Sequence, residues 1–337
     1  MARKQLAAID IAKYVSALLV VCIHTFPFID INETFNTYFI QTVCRMAVPF
    51  FFTISGYFFF RKLTNDEEEN KELLKRYLFR LLKIYLIWTV IYLPYTIYNY
   101  VSAGTGWIGI ISYLRNFLLN GSYYHLWFLP ALMTGMIIAY FLYQKKGMVF
   151  MLKVSLILYF VGYLLNVFAP LWESIPVISF LFRFFTVTIT TSRNGFFFAP
   201  IFIGIGCLLA KTKRLSGRFS QIALIISFAL LVMEVTLYII LGMMRDLTSM
   251  YLSLIPTTYF LVNTLLTMKI PYKPTYRSMR EDSLLIYTVH ILFAVPLLAL
   301  LPNAHIVVYF LTIALSQGFA SLVVKYKKQF PILKELL

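Results

Sequence analysis

Long apolar segments recur along this chain of 337 residues, and they decide what it can fold into. A helix needs about 20 mostly apolar residues to cross a bilayer. Segments of about this kind lie near 8–28, 37–60, 78–100, 126–143, 148–169, 196–210, 221–241, 250–268, 284–301 and 306–324. They lack the period-two alternation of a membrane β-barrel. The sequence therefore predicts an all-α, polytopic integral membrane bundle of about ten transmembrane helices.

The composition excludes a soluble enzyme and argues against nucleic acid as a partner. The chain is 60% hydrophobic and 13% charged, whereas a soluble domain is about a quarter charged. Its formal net charge is +16. Because Lys and Arg lie in short clusters between apolar segments, they indicate cytoplasmic loops facing a lipid bilayer.

The basic clusters occur in alternate connections, which predicts an orientation. They are Arg3-Lys4, 61–76, 144–146, 211–218, 269–282 and 325–328. The positive-inside rule then places both termini in the cytoplasm, which agrees with an even number of spans. We interpret residues 1–337 as a single membrane domain whose first helix is retained, because Asp10 and Lys13 do not suit a signal peptide.

Cysteine usage and missing motifs narrow the chemistry. Cys22, Cys44 and Cys207 all lie in apolar runs, so we interpret them as packing residues. The sequence has no P-loop and no metal-type His/Cys cluster. An ATP-driven pump and a metalloprotease are therefore disfavoured, and no metal site is predicted. Two apolar external stretches, 107–119 and 179–189, are too short to span and are expected in the interface.

Three polar residues interrupt the first apolar segment: Asp10, Lys13 and His24. On a helix Lys13 and His24 share one face and differ by about 16 Å in height, while Asp10 is close enough to pair with Lys13. Ionisable groups inside a span are costly and mark function. We predict a catalytic or ligand-binding face with His24 as base and Lys13 as anion anchor. The alternative is that Asp10 and Lys13 reach headgroup depth and His24 hydrogen-bonds a loop.

Arg45 lies in the outer third of the second apolar segment. A short connection makes the first two helices antiparallel neighbours, so Arg45 is expected within one or two turns of His24 in depth. A buried Arg is costly unless it is paired or lies in a wet cavity, which favours a substrate-binding role over a structural pair. Pro49 frees backbone carbonyls, and Ser55-Gly56 favours close helix packing.

Two external stretches and one mid-membrane carboxylate supply the other predicted binding residues. His125 and Trp127 belong either to an aromatic belt or to a cavity. Arg193 and Asn194 precede the sixth segment, where free N–H groups at a helix N-terminus suit a carboxylate, although an ordinary interfacial Arg is equally compatible. Glu234, deep in the seventh segment, is either protonated or faces a polar cavity as partner of Arg45 or His24. His290, in the ninth segment, is a weaker cavity residue.

These residues carry a resemblance to a known family. DIAKYVSALLVVCIH followed by RMAVPFFFTISGYFFF resembles the acyltransferase family 3 of membrane proteins, in which an Arg, ten residues and a His lie on the first helix. Here Lys13 replaces that Arg, keeping the charge and losing the bidentate fork. Arg45, Pro49 and Ser55-Gly56 match the family's second stretch.

A narrower resemblance comes from YHLWFLPALMTG and TSRNGFFFAPIF, which are similar to the membrane domain of the serine racemases of vancomycin-resistant bacteria. Those proteins join such a domain to a cytoplasmic pyridoxal-phosphate racemase. The resemblance implies a bacterial plasma membrane, a supply of L-serine for D-serine in altered cell-wall precursors, and a fused racemase domain after the cytoplasmic C-terminus. Pyridoxal phosphate is expected only in that domain, so this chain is expected to hold no cofactor.

Two functions follow, and a third is disfavoured. In the first, the chain binds and imports L-serine, with Arg45 or Arg193 on its carboxylate and Glu234 or an aromatic face on its ammonium. In the second, an acyl group moves from acyl-CoA to an external hydroxyl, with His24 as base and Lys13 or Arg45 stabilising charge. A simple anchor for the racemase would need one helix only. A homodimer is compatible with either function.

Overall fold

A computed structural model describes residues 6–245 and 248–337. The described residues are helical with no strand, which confirms the all-α prediction. The helices are α1 Ala7–Thr25, α2 Glu33–Gln41, α3 Ala47–Phe60, α4 Glu67–Ser102, α5 Gly106–Leu119, α6 Phe128–Val167, α7 Ala169–Ser174, α8 Pro176–Thr188, α9 Ala199–Lys211, α10 Gly217–Ile240, α11 Leu254–Thr267, α12 Pro274–Leu300 and α13 His305–Tyr326. Short 3₁₀ segments lie at Cys44–Met46 and Pro331–Leu336. Arg3 and Lys4, used above for orientation, lie outside the described residues.

Seven helical stretches among the described residues are long and apolar enough to cross a membrane. They are α1, the stretch Glu33–Phe60 that includes α2 and α3, α4, α6, α10, α12 and α13. Three shorter apolar helices, α8, α9 and α11, have between 10 and 17 residues. Each of the ten predicted segments overlaps a helix or half of α6, but the count of ten spans and the cytoplasmic termini stay predictions.

Helix α6 contains the two predicted segments 126–143 and 148–169. Its backbone leaves the helical region at Lys146 (φ −145°, ψ 19°) and Gly147 (φ 77°, ψ −175°). A positive φ of this kind is open to glycine and costly for a residue with a Cβ. Gly147 therefore divides α6 into two halves at the basic stretch 144–146.

The chain divides into two compact units. Unit 1 contains the described residues up to Phe51, Lys213–Val235 and Pro256–Leu337. Its core joins α1 to α12 through the fully buried Ala17, Val21 and Ile286, and Tyr309 and Ile313 of α13 pack against them. A second cluster, Cys22, Ile40 and Cys44, packs α2 and the following 3₁₀ segment against α1.

Unit 2 contains Phe52–Thr212 and the described residues of Thr236–Ile255. Its α6 packs along α9 and α4. The two stretches expected in the interface form α5 and α8, both with mainly exposed apolar side chains. The Arg115 guanidinium donates to the Val187 carbonyl, and Asn120 Nδ2 donates to the Ile189 carbonyl at 2.9 Å. These bonds tie α5 and its C-terminal end to α8. The division into two compact units does not test whether residues 1–337 form a single membrane domain, so that interpretation stays a prediction.

Candidate functional site

Two histidines meet in unit 1, where α1 packs against α12. The ring centroids of His24 and His290 are 5.3 Å apart, with planes 36° from parallel. His290 is fully buried and His24 is half-buried. We call these two residues the histidine pair. Near the same end of α1, His305 at the start of α13 lies with its Nδ1 2.7 Å from the carbonyl oxygen of Thr25.

The backbone of α12 fixes the protonation of the His290 ring. Its Nδ1 lies 2.7 Å from the Tyr287 carbonyl oxygen and 3.1 Å from the Ile286 carbonyl oxygen. Since both oxygens can only accept, Nδ1 carries the hydrogen. In a neutral imidazole the lone pair is then on Nε2. Such a pair of imidazoles can hold and pass on one proton, which is what general acid–base chemistry requires.

Arg45 is buried beside α1 in unit 1, with 8% of its surface exposed. Its Nε donates to Gln41 Oε1 at 2.8 Å. Its neighbour Cys44 packs against Cys22, two residues before His24, so the 3₁₀ segment lies close in height to the histidine pair. Gln41 was missed by the sequence analysis, although its place four residues before Arg45 is a usable signal.

Asp10 and Lys13 lie towards the opposite end of α1. The buried Asp10 carboxylate faces Arg280 of α12, with 3.8 Å between Oδ2 and Nη1. Asp10 and His24 are fourteen residues apart, about 21 Å along the helix, which excludes a direct hydrogen bond between them. Lys13 is half-buried one turn after Asp10. The predicted catalytic use of Asp10 and Lys13 therefore concerns a second place along α1, about 16 Å or more from the His24 ring.

Glu234 lies half-buried towards the C-terminal end of α10 in unit 1. It stays a predicted partner of Arg45 or His24.

Unit 2 contains a pocket of about 300 Å³ beside the loop between α5 and α6. We call it the aromatic pocket. Its lining is Thr96, Asn99, Tyr100, Tyr113, Asn116, Asn120, Gly121, Ser122, Tyr123, Tyr124, Trp127, Thr190, Thr191 and Arg193. Two predicted binding residues, Trp127 and Arg193, are therefore brought together. The Arg193 guanidinium lies 4.7 Å from the centre of the Trp127 ring, a cation–π distance that holds the charge at the wall.

His125 lies behind this wall and is 1% exposed. Its ring contacts Tyr92 edge-on at 4.7 Å and Tyr123 at 5.9 Å. Burial is the main cause that raises the pKa of the Tyr123 and Tyr124 hydroxyls, so both phenols stay neutral near pH 7. His125 does not line the pocket, and its ring contacts indicate that it supports Tyr92 and Tyr123 from behind.

Asn194 caps the turn that leads into α9. Its side-chain Oδ1 accepts from the N–H groups of Phe196 (2.9 Å) and Phe197 (3.1 Å). Its backbone oxygen accepts from Phe198 and Ala199 at 3.1 and 3.2 Å. The N–H groups expected to bind an anion are thus already used, and the expectation of a free helix N-terminus at this place is wrong. Of the predicted anion-binding groups at this place, the Arg193 guanidinium therefore stays the candidate for binding an anionic ligand.

An Asn194→Ala variant tests the capping role. Losing a capping side chain costs about 0.5–2 kcal/mol of stability. We expect a lower thermal midpoint of the purified protein in detergent. Asn194→Asp keeps the acceptor oxygen but loses the hydrogen bond from Nδ2 to the Thr191 carbonyl at 2.9 Å, so it is expected to melt between the wild type and Asn194→Ala. Equal melting of all three proteins would contradict the capping assignment.

A comparison with known protein families gives a match over nearly the whole chain. The family described as "Acyltransferase domain" matches residues 6–325. This chain belongs to the acyltransferase-3 family. This chain is also 28% identical to a serine/alanine racemase of Enterococcus gallinarum, over 95% of its own length and 46% of that protein.

Two further relatives carry the name amino-acid racemase, both from Enterococcus faecalis. One is 29% identical over 82% of this chain and 38% of its own length. The other is 32% identical over 61% of this chain and 29% of its own length. This chain therefore spans less than half the length of the curated relatives that it matches. No solved structure matches it. The predicted resemblance to racemase-linked membrane domains is confirmed.

Proposed function

We propose that this chain binds L-serine and moves it across a bacterial plasma membrane to a racemase domain that uses pyridoxal phosphate. The relative named serine/alanine racemase matches 95% of this chain with less than half of its own length. That coverage supports a membrane part whose task is linked to a racemase substrate. This chain's own residues then supply binding and passage, and a fused cytoplasmic racemase is the proposed partner.

The single observation that carries the proposal is the charge pattern of the aromatic pocket. Among its lining residues in the described chain, Arg193 is the one charged side chain. A guanidinium matches a carboxylate with two parallel hydrogen bonds. The rings of the tyrosines and Trp127 offer faces to an ammonium. The volume of about 300 Å³ is at the lower end of ordinary ligand pockets and suits a small amino acid.

Uptake of labelled L-serine into proteoliposomes tests this function, and Arg193→Gln tests the site. A charge-assisted hydrogen bond contributes about 1.5–3 kcal/mol, so the variant should bind L-serine roughly 10- to 100-fold more weakly. Calorimetry in detergent measures the affinity, and the initial uptake rate should fall with it.

Arg183→Gln is the matched control. Arg183 is an exposed residue of α8 in the same unit, and it does not line the pocket. It should bind and take up serine as the wild type does. A wild-type protein with no binding and no uptake above empty vesicles would sink the proposal. If the wild type and Arg193→Gln bound L-serine with equal affinity, Arg193 would not be part of the serine-binding site.

The histidine pair favours a second candidate function, O-acyl transfer from acyl-CoA to an extracytoplasmic cell-wall or glycan hydroxyl. His24 would take the hydroxyl proton while the hydroxyl oxygen attacks the thioester carbonyl, and the proton would then pass to the departing CoA sulfur. The 5.3 Å separation of the ring centroids places the His290 imidazole beside the proposed base. Release of free CoA thiol in the presence of an acceptor is the measurement.

A further inference from the structure

A buried carboxylate in unit 1 takes part in neither site. Asp282 of α12 is 8% exposed. Asp282 ends the basic stretch 269–282, where the sequence predicts an interfacial, solvated carboxylate, and its burial shows that this prediction is wrong. Gln317 Nε2 of α13 donates to Asp282 Oδ2 at 3.0 Å. Within residues 6–245 and 248–337, this neutral amide is the hydrogen-bond partner of Asp282, and no cation lies within 4 Å of it.

The cations around Asp282 are committed to other acids. Arg280 faces Asp10, and Lys327 of α13 pairs with Glu281. Arg277 also lies 3.6 Å from Glu281. The titratable and charged groups that face this region are Asp10 and Tyr14 on α1, Arg277, Arg280 and Glu281 on α12, and Lys327 on α13. Asp282 is thus the carboxylate of the group whose direct hydrogen bond comes from a neutral amide, while Lys327, which pairs with Glu281, acts on it only at longer range.

The same amide links Asp282 to a third helix. Tyr14 of α1 donates its hydroxyl hydrogen to Gln317 Oε1 at 2.8 Å, and Gln317 Nε2 also lies 3.1 Å from Ser321 Oγ. The Tyr14–Gln317–Asp282 chain therefore connects α1, α13 and α12. In this arrangement Gln317 presents N–H to Asp282, which suits a carboxylate and does not suit a carboxylic acid on the same oxygen.

Protonation of Asp282 would change this chain of hydrogen bonds. A proton on Oδ2 needs an acceptor, and rotation of the Gln317 amide would supply Oε1. That rotation takes Oε1 away from the Tyr14 hydroxyl and turns Nε2 towards it, so the hydrogen bond between α13 and α1 reverses direction. One proton is bound and no covalent bond other than O–H forms.

We propose that Asp282 is the proton-binding site that couples L-serine movement to a proton gradient. The proposal rests on the transport function proposed above. Ionisable residues buried in membrane helices commonly form proton relays. Here the Tyr14–Gln317–Asp282 chain gives the proton a means to alter the contacts among α1, α12 and α13.

Proteoliposomes with an acidic exterior test the coupling. The wild type should accumulate labelled L-serine above the external concentration, and a protonophore should abolish the accumulation. Asp282→Asn should lose accumulation while it retains serine exchange between equal concentrations on both sides. Asp282→Glu, which keeps a titratable carboxyl, should retain accumulation. Glu33→Gln, which removes an exposed carboxylate of α2, is the control and should behave as wild type.

The outcomes separate the two proposals. Wild-type exchange without gradient-driven accumulation overturns proton coupling and leaves serine binding and transport standing. Accumulation by Asp282→Asn equal to that of the wild type overturns the assignment to Asp282. A wild type that moves no serine at all removes both. The thermal midpoint and the serine exchange of Asp282→Asn are measured together, because the substitution could reduce folding. If this variant is unfolded, the protonophore result for the wild type and the accumulation by Asp282→Glu decide whether the proposal stands.

Discussion

A Gly206→Val variant is expected to fail to accumulate as a folded, monodisperse membrane protein. A Cβ on Gly206 would lie 2.1 Å from the Thr53 backbone oxygen and 2.5 Å from the Tyr57 backbone nitrogen. A Cβ on Gly56 would lie 2.3 Å from the Ile203 backbone oxygen. Helices α3 and α9 of unit 2 therefore touch backbone to backbone. Such packing depends on small residues in membrane helices.

The expected size of the effect follows from what would have to move. Extra methyl groups in a well-packed core cost about 1–3 kcal/mol, and more when backbone must shift. Here the obstructing atoms are backbone, so we expect the upper end or beyond, comparable with much of a domain's net stability of about 5–15 kcal/mol. Size-exclusion chromatography of a fluorescent fusion and the thermal midpoint in detergent measure it.

Gly318→Val is the matched control. Gly318 lies within α13, and nothing lies within 4 Å of a Cβ placed there. The same substitution in a helix interior should therefore leave folding close to wild type, because valine has a better helix propensity than glycine. If Gly206→Val and Gly318→Val express and melt alike, the close contact between α3 and α9 is absent from the protein.

These contacts show which parts of the structure were accessible from the sequence. Hydropathy located the apolar segments, because a bilayer imposes helix length directly. The small pair Ser55-Gly56 predicted close packing, and Gly56 does approach a neighbouring helix. Its counterpart Gly206 was not identified, since the partner of a small residue depends on how distant segments pack. The boundary between α2 and α3 was also missed, because a 3₁₀ segment within an apolar run has no periodicity signal.

The sequence indicated which polar residues to consider, but it did not indicate which residues they contact. His24 and Arg45 were predicted from the cost of polar groups in apolar surroundings. Trp127 was predicted from a cluster of interfacial aromatic residues and Arg193 from its place before a helix, and these two residues line one pocket. The contact of His24 with His290 joins residues 266 positions apart, and no local pattern predicts it. Asn194 was misread because its capping bonds use the N–H groups that the sequence offered to a ligand.

The other large expected effect concerns the histidine pair and decides between the two functions. If the chain transfers acyl groups, His24→Ala should lower acceptor-dependent thiol release from acyl-CoA by about 10²- to 10⁴-fold, the usual contribution of a general base. His290→Ala should also lower it, because the Nε2 lone pair fixed by the α12 carbonyls would be lost.

His305→Gln is the matched control, since it removes an imidazole near the same end of α1 while an amide can still donate to the Thr25 carbonyl. It should leave thiol release unchanged. A wild type that releases no thiol from acyl-CoA removes acyl transfer. Because Arg193 lines a pocket in unit 2 and the histidine pair lies in unit 1, each function has its own sensitive residue. Loss of serine binding in Arg193→Gln with full binding in His24→Ala would then leave import as the activity of this membrane domain.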